Sequence, residues 1–136
     1  MNKAESKKVV LDTNVLVSAL LAPESKPASI VSMVLSGKLL LYYDSRIITE
    51  YKTVLFRPKF PFQKRDVNIL LNTFARIGAS ILAEPCGIHF VDASDQKFFE
   101  VAQSASAYLI TGNGRHYPKH QCVVSPAEFL AQLKNQ

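Results

Sequence analysis

Four acidic side chains occupy positions where a charge is expensive. Asp12 directly follows the apolar run Val9-Val10-Leu11. Glu50 lies beside Ile47, Tyr51 and Val54 on a helical wheel, at the border of an apolar stripe rather than on the solvated face. Asp95 precedes Phe98 and Phe99 by one turn and shares a face with Ala102, and Asp92 completes an Asp-x-x-Asp pattern. Each also has a structural explanation. Asp12 suits a helix cap or turn, Glu50 a boundary glutamate paired with a base, Asp95 a charge favoured by a helix N-terminus, and Asp92 a loop or cap.

Gathered in one place, such acids repel each other and lose hydration, which raises at least one pKa unless a cation neutralises them. A hard divalent ion offsets that cost. Mg²⁺ takes oxygen ligands, needs few carboxylates and keeps waters for chemistry. The chain has only three His and two Cys residues, which argues against zinc or copper. One ion acidifies a bound water and polarises a phosphoryl oxygen; two ions about 3.5–4 Å apart clamp the attacking and leaving oxygens of an in-line displacement.

The elements that must position these acids follow from pattern and breakers. Val9–Leu11 reads as a buried strand ended by Asp12-Thr13-Asn14, with Thr13 or Asn14 able to cap a helix over Val15–Leu21. Pro27 suits the first turn of a second helix, and Gly37 ends it. Leu39–Tyr43 is a second strand, and Asp44 or Ser45 starts a helix to about Phe56. Asp66–Ile77 is helical by period, with Ile69, Leu70, Phe74 and Ile77 on one face, and Gly78 ends it. Ser80–Leu82 is a short strand, Gly87–Val91 an extended approach, and Ser94–Ala105 a helix. Tyr108–Thr111 is a further strand followed by the turn Gly112-Asn113-Gly114, and Cys122–Val124 is the last. Ser125-Pro126-Ala127-Glu128 spells a capping box for a closing helix over Pro126–Leu133.

Short buried strands alternating with helices imply an α/β fold: three α/β/α layers around a mostly parallel central sheet. In such sheets ligands gather beyond the carboxyl ends of the strands, where Asp12 and Asn113 fall. The length of 136 residues suits one domain over 1–136, able to bury a core without disulfides. Cys86 and Cys122 form no CxxC pair and suit a reducing compartment. No apolar run is long enough to cross a membrane, and no cleavable apolar segment follows the polar N-terminus. The expected location is therefore the cytoplasm. Sixteen basic residues against eleven acidic ones give a charge of +5, compatible with a polyanionic partner or simply a basic protein.

These motifs resemble the PIN-domain family, specifically the single-domain prokaryotic VapC-like toxin components. Val9 to Ala19 looks like that family's opening strand with its first catalytic Asp and the Thr/Asn after it. Thr49-Glu50-Tyr51 through Arg57-Pro58-Lys59-Phe60 is similar to the helix carrying its Glu and basic turn. Asp92 to Phe99 resembles the next acidic motif, and Leu109 to Pro118 the closing one. The resemblance covers almost the whole chain. It implies a Mg²⁺- or Mn²⁺-dependent endoribonuclease, often a homodimer and often inhibited by a cognate antitoxin. Asp12 is then the central metal ligand; Glu50 and Asp95 complete the shell or orient the attacking water, and Asp92 is a further acid of the site. Thr13, Asn14, Thr111 and Asn113 would support these groups by hydrogen bonds. Arg57, Lys59 and Arg115 would contact RNA, with Phe60, Phe62 and Tyr117 interleaved for stacking.

One departure is Asn113, where many family members carry Asp. An uncharged Asn favours the alternative of a PIN-like module that binds RNA or protein without cutting. A phosphatase of the haloacid-dehalogenase type also opens with an Asp after a buried strand. It expects a second Asp two residues on, where this chain has Asn14.

Overall fold

A computed structural model describes residues 6–135 of the chain. Residues 1–5, which carry most of the polar N-terminal stretch, lie outside the described residues, as does residue 136. The chain runs β1 (Lys7–Leu11), α1 (Thr13–Leu21), α2 (Lys26–Leu35), β2 (Leu39–Tyr43), α3 (Ser45–Leu55), α4 (Lys64–Ile77) and β3 (Ala79–Ser80). After an extended segment come a 3-10 turn (Ala93–Asp95), α5 (Gln96–Ala105), β4 (Tyr108–Ile110), a second 3-10 turn (Gly114–His116), β5 (Val123–Val124) and α6 (Pro126–Lys134).

All four strand pairings are parallel, in the order β3-β2-β1-β4-β5. The chain leaves β1 for β2 on one side and returns to β4 on the other. The crevice beyond the carboxyl ends of β1 and β4 is thus a topological switch point, where open parallel sheets place their ligands. Val9, Val10, Leu11, Leu41, Leu109 and Ile110 are fully buried. Strands covered on both faces read as continuous apolar runs rather than alternating ones, which these do.

Local signals explain most boundaries. The Ser25 hydroxyl caps α2, with Pro27 in its first turn. The capping box of α6 is present as expected: Ser125 Oγ accepts from Glu128 N at 3.0 Å and Glu128 Oε1 accepts from Ser125 N at 2.7 Å. Gly37 adopts φ +84°, the left-handed conformation that closes a helix cheaply only without a Cβ.

Four expectations are corrected. The cap of α1 is Asp12 itself, whose Oδ1 accepts from Asn14 N at 3.4 Å, rather than Thr13 or Asn14. The α4 core face is Val67, Leu71 and Phe74, with Leu70 and Ile77 half-buried beside it; Ile69 faces out at 55% exposure. The true face follows the i, i+4, i+7 row, which starts with a valine two residues before Ile69. The third strand is shorter and earlier than Ser80–Leu82, and Leu82 is 96% exposed. The helix over 94–105 opens as a 3-10 turn, so Asp95 stands at the junction, at the α5 N-terminus.

The extended segment after β3 is tied down by one buried acid. Glu100 on α5 accepts from Arg46 Nη1 at 2.9 Å, from Gln96 Nε2 at 3.0 Å and from Cys86 N at 3.0 Å. Burial alone would raise its pKa, but these three donors outweigh that and hold it below the usual glutamate value. Arg46 also pairs with Asp44, the α3 cap, at 2.7 Å. The network fastens α3, α5 and the extended strap to one another, and so fixes the two helices that carry Glu50 and Asp95.

Candidate active site

Asp12 is buried at the end of β1, where its backbone N donates to Ile110 O at 3.0 Å. Its Oδ2 accepts from Thr111 Oγ1 at 2.8 Å and from Tyr117 Oη at 2.9 Å. Tyr117 is correspondingly pushed far above the usual tyrosine range by burial and by the Asp12, Asp95 and Glu50 charges, so it stays a donor. Beneath Asp12, the fully buried Tyr51 donates to Leu11 O at 2.6 Å and pins α3 to the end of β1.

Glu50, one residue before Tyr51, is thereby brought to the same edge. Its Oε2 accepts from the Thr13 hydroxyl, and its Oε1 lies 2.6 Å from Lys97 Nζ. Asp95 reaches the edge from the start of α5, with His116 Nδ1 3.7 Å from its Oδ2. Burial raises the Asp95 pKa first, and the negative charges of Asp12, Asp92 and Glu50 raise it further. Four chain segments therefore meet at one negative spot. Asp92 caps the 3-10 turn through one oxygen: its Oδ1 accepts from both the N and Oγ of Ser94, it faces solvent, and these bonds hold its pKa below the ordinary aspartate value.

Among the expected supporting residues, Thr13 and Thr111 each hold a carboxylate. Asn14 Oδ1 faces Gly112 N across the β1–β4 crevice at 3.5 Å, and Asn113 N donates to Thr111 Oγ1 at 3.0 Å, so both shape the loop after β4. Arg57 lines a groove of about 740 Å³ together with Ser45, Arg46, Glu50, Ser94 and Lys97. Lys59 lies outside it, its Nζ 5.1 Å above the ring of Phe60, which stacks on Phe62 at 5.2 Å. Arg115 is exposed on the second 3-10 turn, beside His116.

Two site residues escaped the sequence reading. Tyr117 was treated only as a stacking ring, yet its hydroxyl serves Asp12. Lys97 was passed over, although a lysine heading the run Phe98-Phe99-Glu100-Val101-Ala102 has nowhere wet to go. The signal was available: a cation in the buried stretch Lys97–Ala102 needs an acid.

The donor set is all oxygen and mutually repelling, which fits a hard divalent ion that keeps waters and takes one or two carboxylates. It is not a closed cage. Among the described residues no three His, Cys, Asp or Glu side chains are gathered tightly enough to enclose an ion. Lys97 and Thr13 occupy Glu50, while Thr111 and Tyr117 hold Asp12.

The raised Asp95 pKa carries a stability consequence. A folded pKa above the unfolded one means full stability below the unfolded value, lost as pH rises through the folded one. In chelator, Asp95→Asn should raise Tm by a few degrees at pH 7 and by nothing near pH 3, where wild-type Asp95 is already neutral. Paired thermal melts at the two pH values read this directly. A lower Tm for the variant at pH 7 would show that the carboxylate is not under strain.

Acids thus converge at the switch point of a parallel sheet of this order, and the chain belongs to the PIN-domain family, whose profile matches residues 8–115. PIN domains are generally nucleases that use divalent metal ions. Among curated proteins, the chain is 31% identical to Uncharacterized protein MJ1680 from Methanocaldococcus jannaschii, over 93% of this chain and 92% of that one. Among solved structures, PAE2754 from Pyrobaculum aerophilum superposes with a TM-score of 0.61 at 15% identity, covering 100% of this chain and 95% of that one. VapBC2 from Rickettsia felis, solved bound to a DNA fragment from their promoter, gives 0.59 at 15% identity, covering 87% and 96%. These two likenesses show the shared fold.

Proposed function

We propose that the chain is a Mg²⁺- or Mn²⁺-dependent endoribonuclease that cuts single-stranded RNA, acting in the cytoplasm as the toxin of a toxin-antitoxin pair. The observation that carries this is the gathering of Asp12, Glu50 and Asp95 from three separate segments at the carboxyl edge of the sheet, where the first two charges raise the Asp95 pKa. Asp12 and Asp95 would hold the ion, with Glu50 beside them. When bound, the ion would supply an acidified water and polarise a phosphoryl oxygen. Thr111 and Tyr117 keep Asp12 oriented, and Thr13 does the same for Glu50. Arg57 lines the groove next to Glu50 and would receive the phosphate backbone, with Lys59 and Arg115 adding charge at its margins. The fold shared with VapBC2 supports an antitoxin as partner, and a homodimer accords with the family resemblance. Among the described residues no helix is long and apolar enough to cross a membrane.

The deciding experiment is cleavage of a labelled single-stranded RNA in chelator, Mg²⁺ and Mn²⁺. Cleavage is expected only with metal. Asn113 and the Glu50–Lys97 pair favour the second reading, a PIN-like module that binds without cutting. RNA retention that weakens with salt, with no metal-dependent product, would establish that reading instead.

A further inference from the structure

We propose that Lys97 is a resident cation of the carboxylate cluster, competing with a divalent ion for Glu50. This rests on the reading of the cluster as a metal centre.

Lys97 is only 9% exposed, a rare state for lysine unless the charge is paired. Its Nζ lies 2.6 Å from Glu50 Oε1, donates to Ser94 O, and sits 4.9 Å from the centroid of the Phe98 ring. Glu50 Oε2 is taken by Thr13. Both oxygens of Glu50 are thus committed within the protein. The arrangement is imposed by the fold: Phe98 and Phe99 lock the first turn of α5 into the core, and Tyr51 locks α3 beneath Glu50. The ammonium has no other acid among its close partners.

Charge gives the pair its meaning. Asp12, Glu50 and Asp95 bring three negative charges and Lys97 offsets one of them, while Asp92 adds a further charge at the solvent-facing rim. Asn113, neutral where many family members are acidic, adds none. A second ion would need Glu50, and to take it must displace a well-seated ammonium in a poorly hydrated place, where Coulomb attraction is strong. Lys97 therefore tunes the cluster toward sparing use of metal.

Mn²⁺ titration calorimetry on the full chain, without RNA, tests this. Lys97→Met and Lys97→Gln should each bind Mn²⁺ about tenfold more tightly than wild type, whereas Lys97→Arg should stay within about threefold. In a Glu50→Gln background, Lys97→Met should gain less than about threefold, because the competition acts through that carboxylate. Two neutral variants guard against one failing to fold, with melts recorded for each. Uptake by Lys97→Met but not by wild type would support the idea in its strongest form. Wild-type binding with unchanged affinity in both neutral variants overturns Lys97's role alone, as does a gain that persists without the Glu50 carboxylate. Failure of every protein to bind Mn²⁺ overturns the metal-centre reading and this inference together.

Discussion

Asp12→Asn is expected to fold normally and to lose RNA cleavage by on the order of a thousandfold. Asparagine keeps an oxygen for the Thr111 and Tyr117 hydroxyls, so the core beneath it need not move. Its nitrogen takes the place of Oδ1, so only the long 3.4 Å cap contact from Asn14 N is lost. What disappears is the negative charge at the centre of the cluster, the one felt most strongly by Asp95. The metal-free variant should melt no lower than wild type, since one source of repulsion has gone. Initial rates with Mn²⁺ and a circular-dichroism melt on the same preparation provide the check. Activity within tenfold of wild type in a well-folded sample would remove Asp12 from the mechanism.

Gly78→Ala is expected to cost about 3 kcal/mol of stability and lower Tm by about 10 °C. Gly78 has φ −85°, so its conformation is open to any residue. The reason for glycine is space. An added Cβ would lie 2.7 Å from Phe74 O, 2.8 Å from Leu41 O and 2.9 Å from Tyr43 Cε2. Two of these are backbone atoms of α4 and β2, which cannot swing aside as a side-chain tip can. Relief would have to separate α4 from the sheet, opening the contacts around Phe74. Chemical denaturation with matched m-values would measure the loss. A change below about 1 kcal/mol would mean that the α4–β2 junction yields more easily than two carbonyls in contact should.

These cases show what was legible in the sequence. Gly37 and Gly78 both read as helix stops, and both are. The sequence could not distinguish them, because one serves backbone conformation and the other close approach, and the second depends on a neighbour more than thirty residues away. The α/β alternation was readable because β1, β2, β4 and β5 centre on short apolar runs flanked by helix signals, whereas β3, only Ala79–Ser80, carries no such run. The α4 face was misassigned because Ile69 outranks Val67 in size, and only packing shows which one the sheet covers. Asp12, Glu50 and Asp95 could be picked out since each interrupts an apolar pattern. Their actual partners could not, because Tyr117 and Thr111 lie about a hundred residues from Asp12, and Lys97 meets Glu50 across two helices. Arg57 and Lys59 share one basic motif in the sequence, which does not show that Arg57 lines the groove beside Glu50 while Lys59 leans on Phe60.

The pairing of β1 with β4 has a bearing on synthesis. Val9–Leu11 lies against Tyr108–Ile110, and the hydroxyls that steady Asp12 come later still, at positions 111 and 117. A ribosome-bound chain lacking its last quarter holds Asp12 and Glu50 but has no strand beside β1 on that side. The carboxylate edge is therefore completed only once the residues of β4 and the loop carrying Tyr117 have been made.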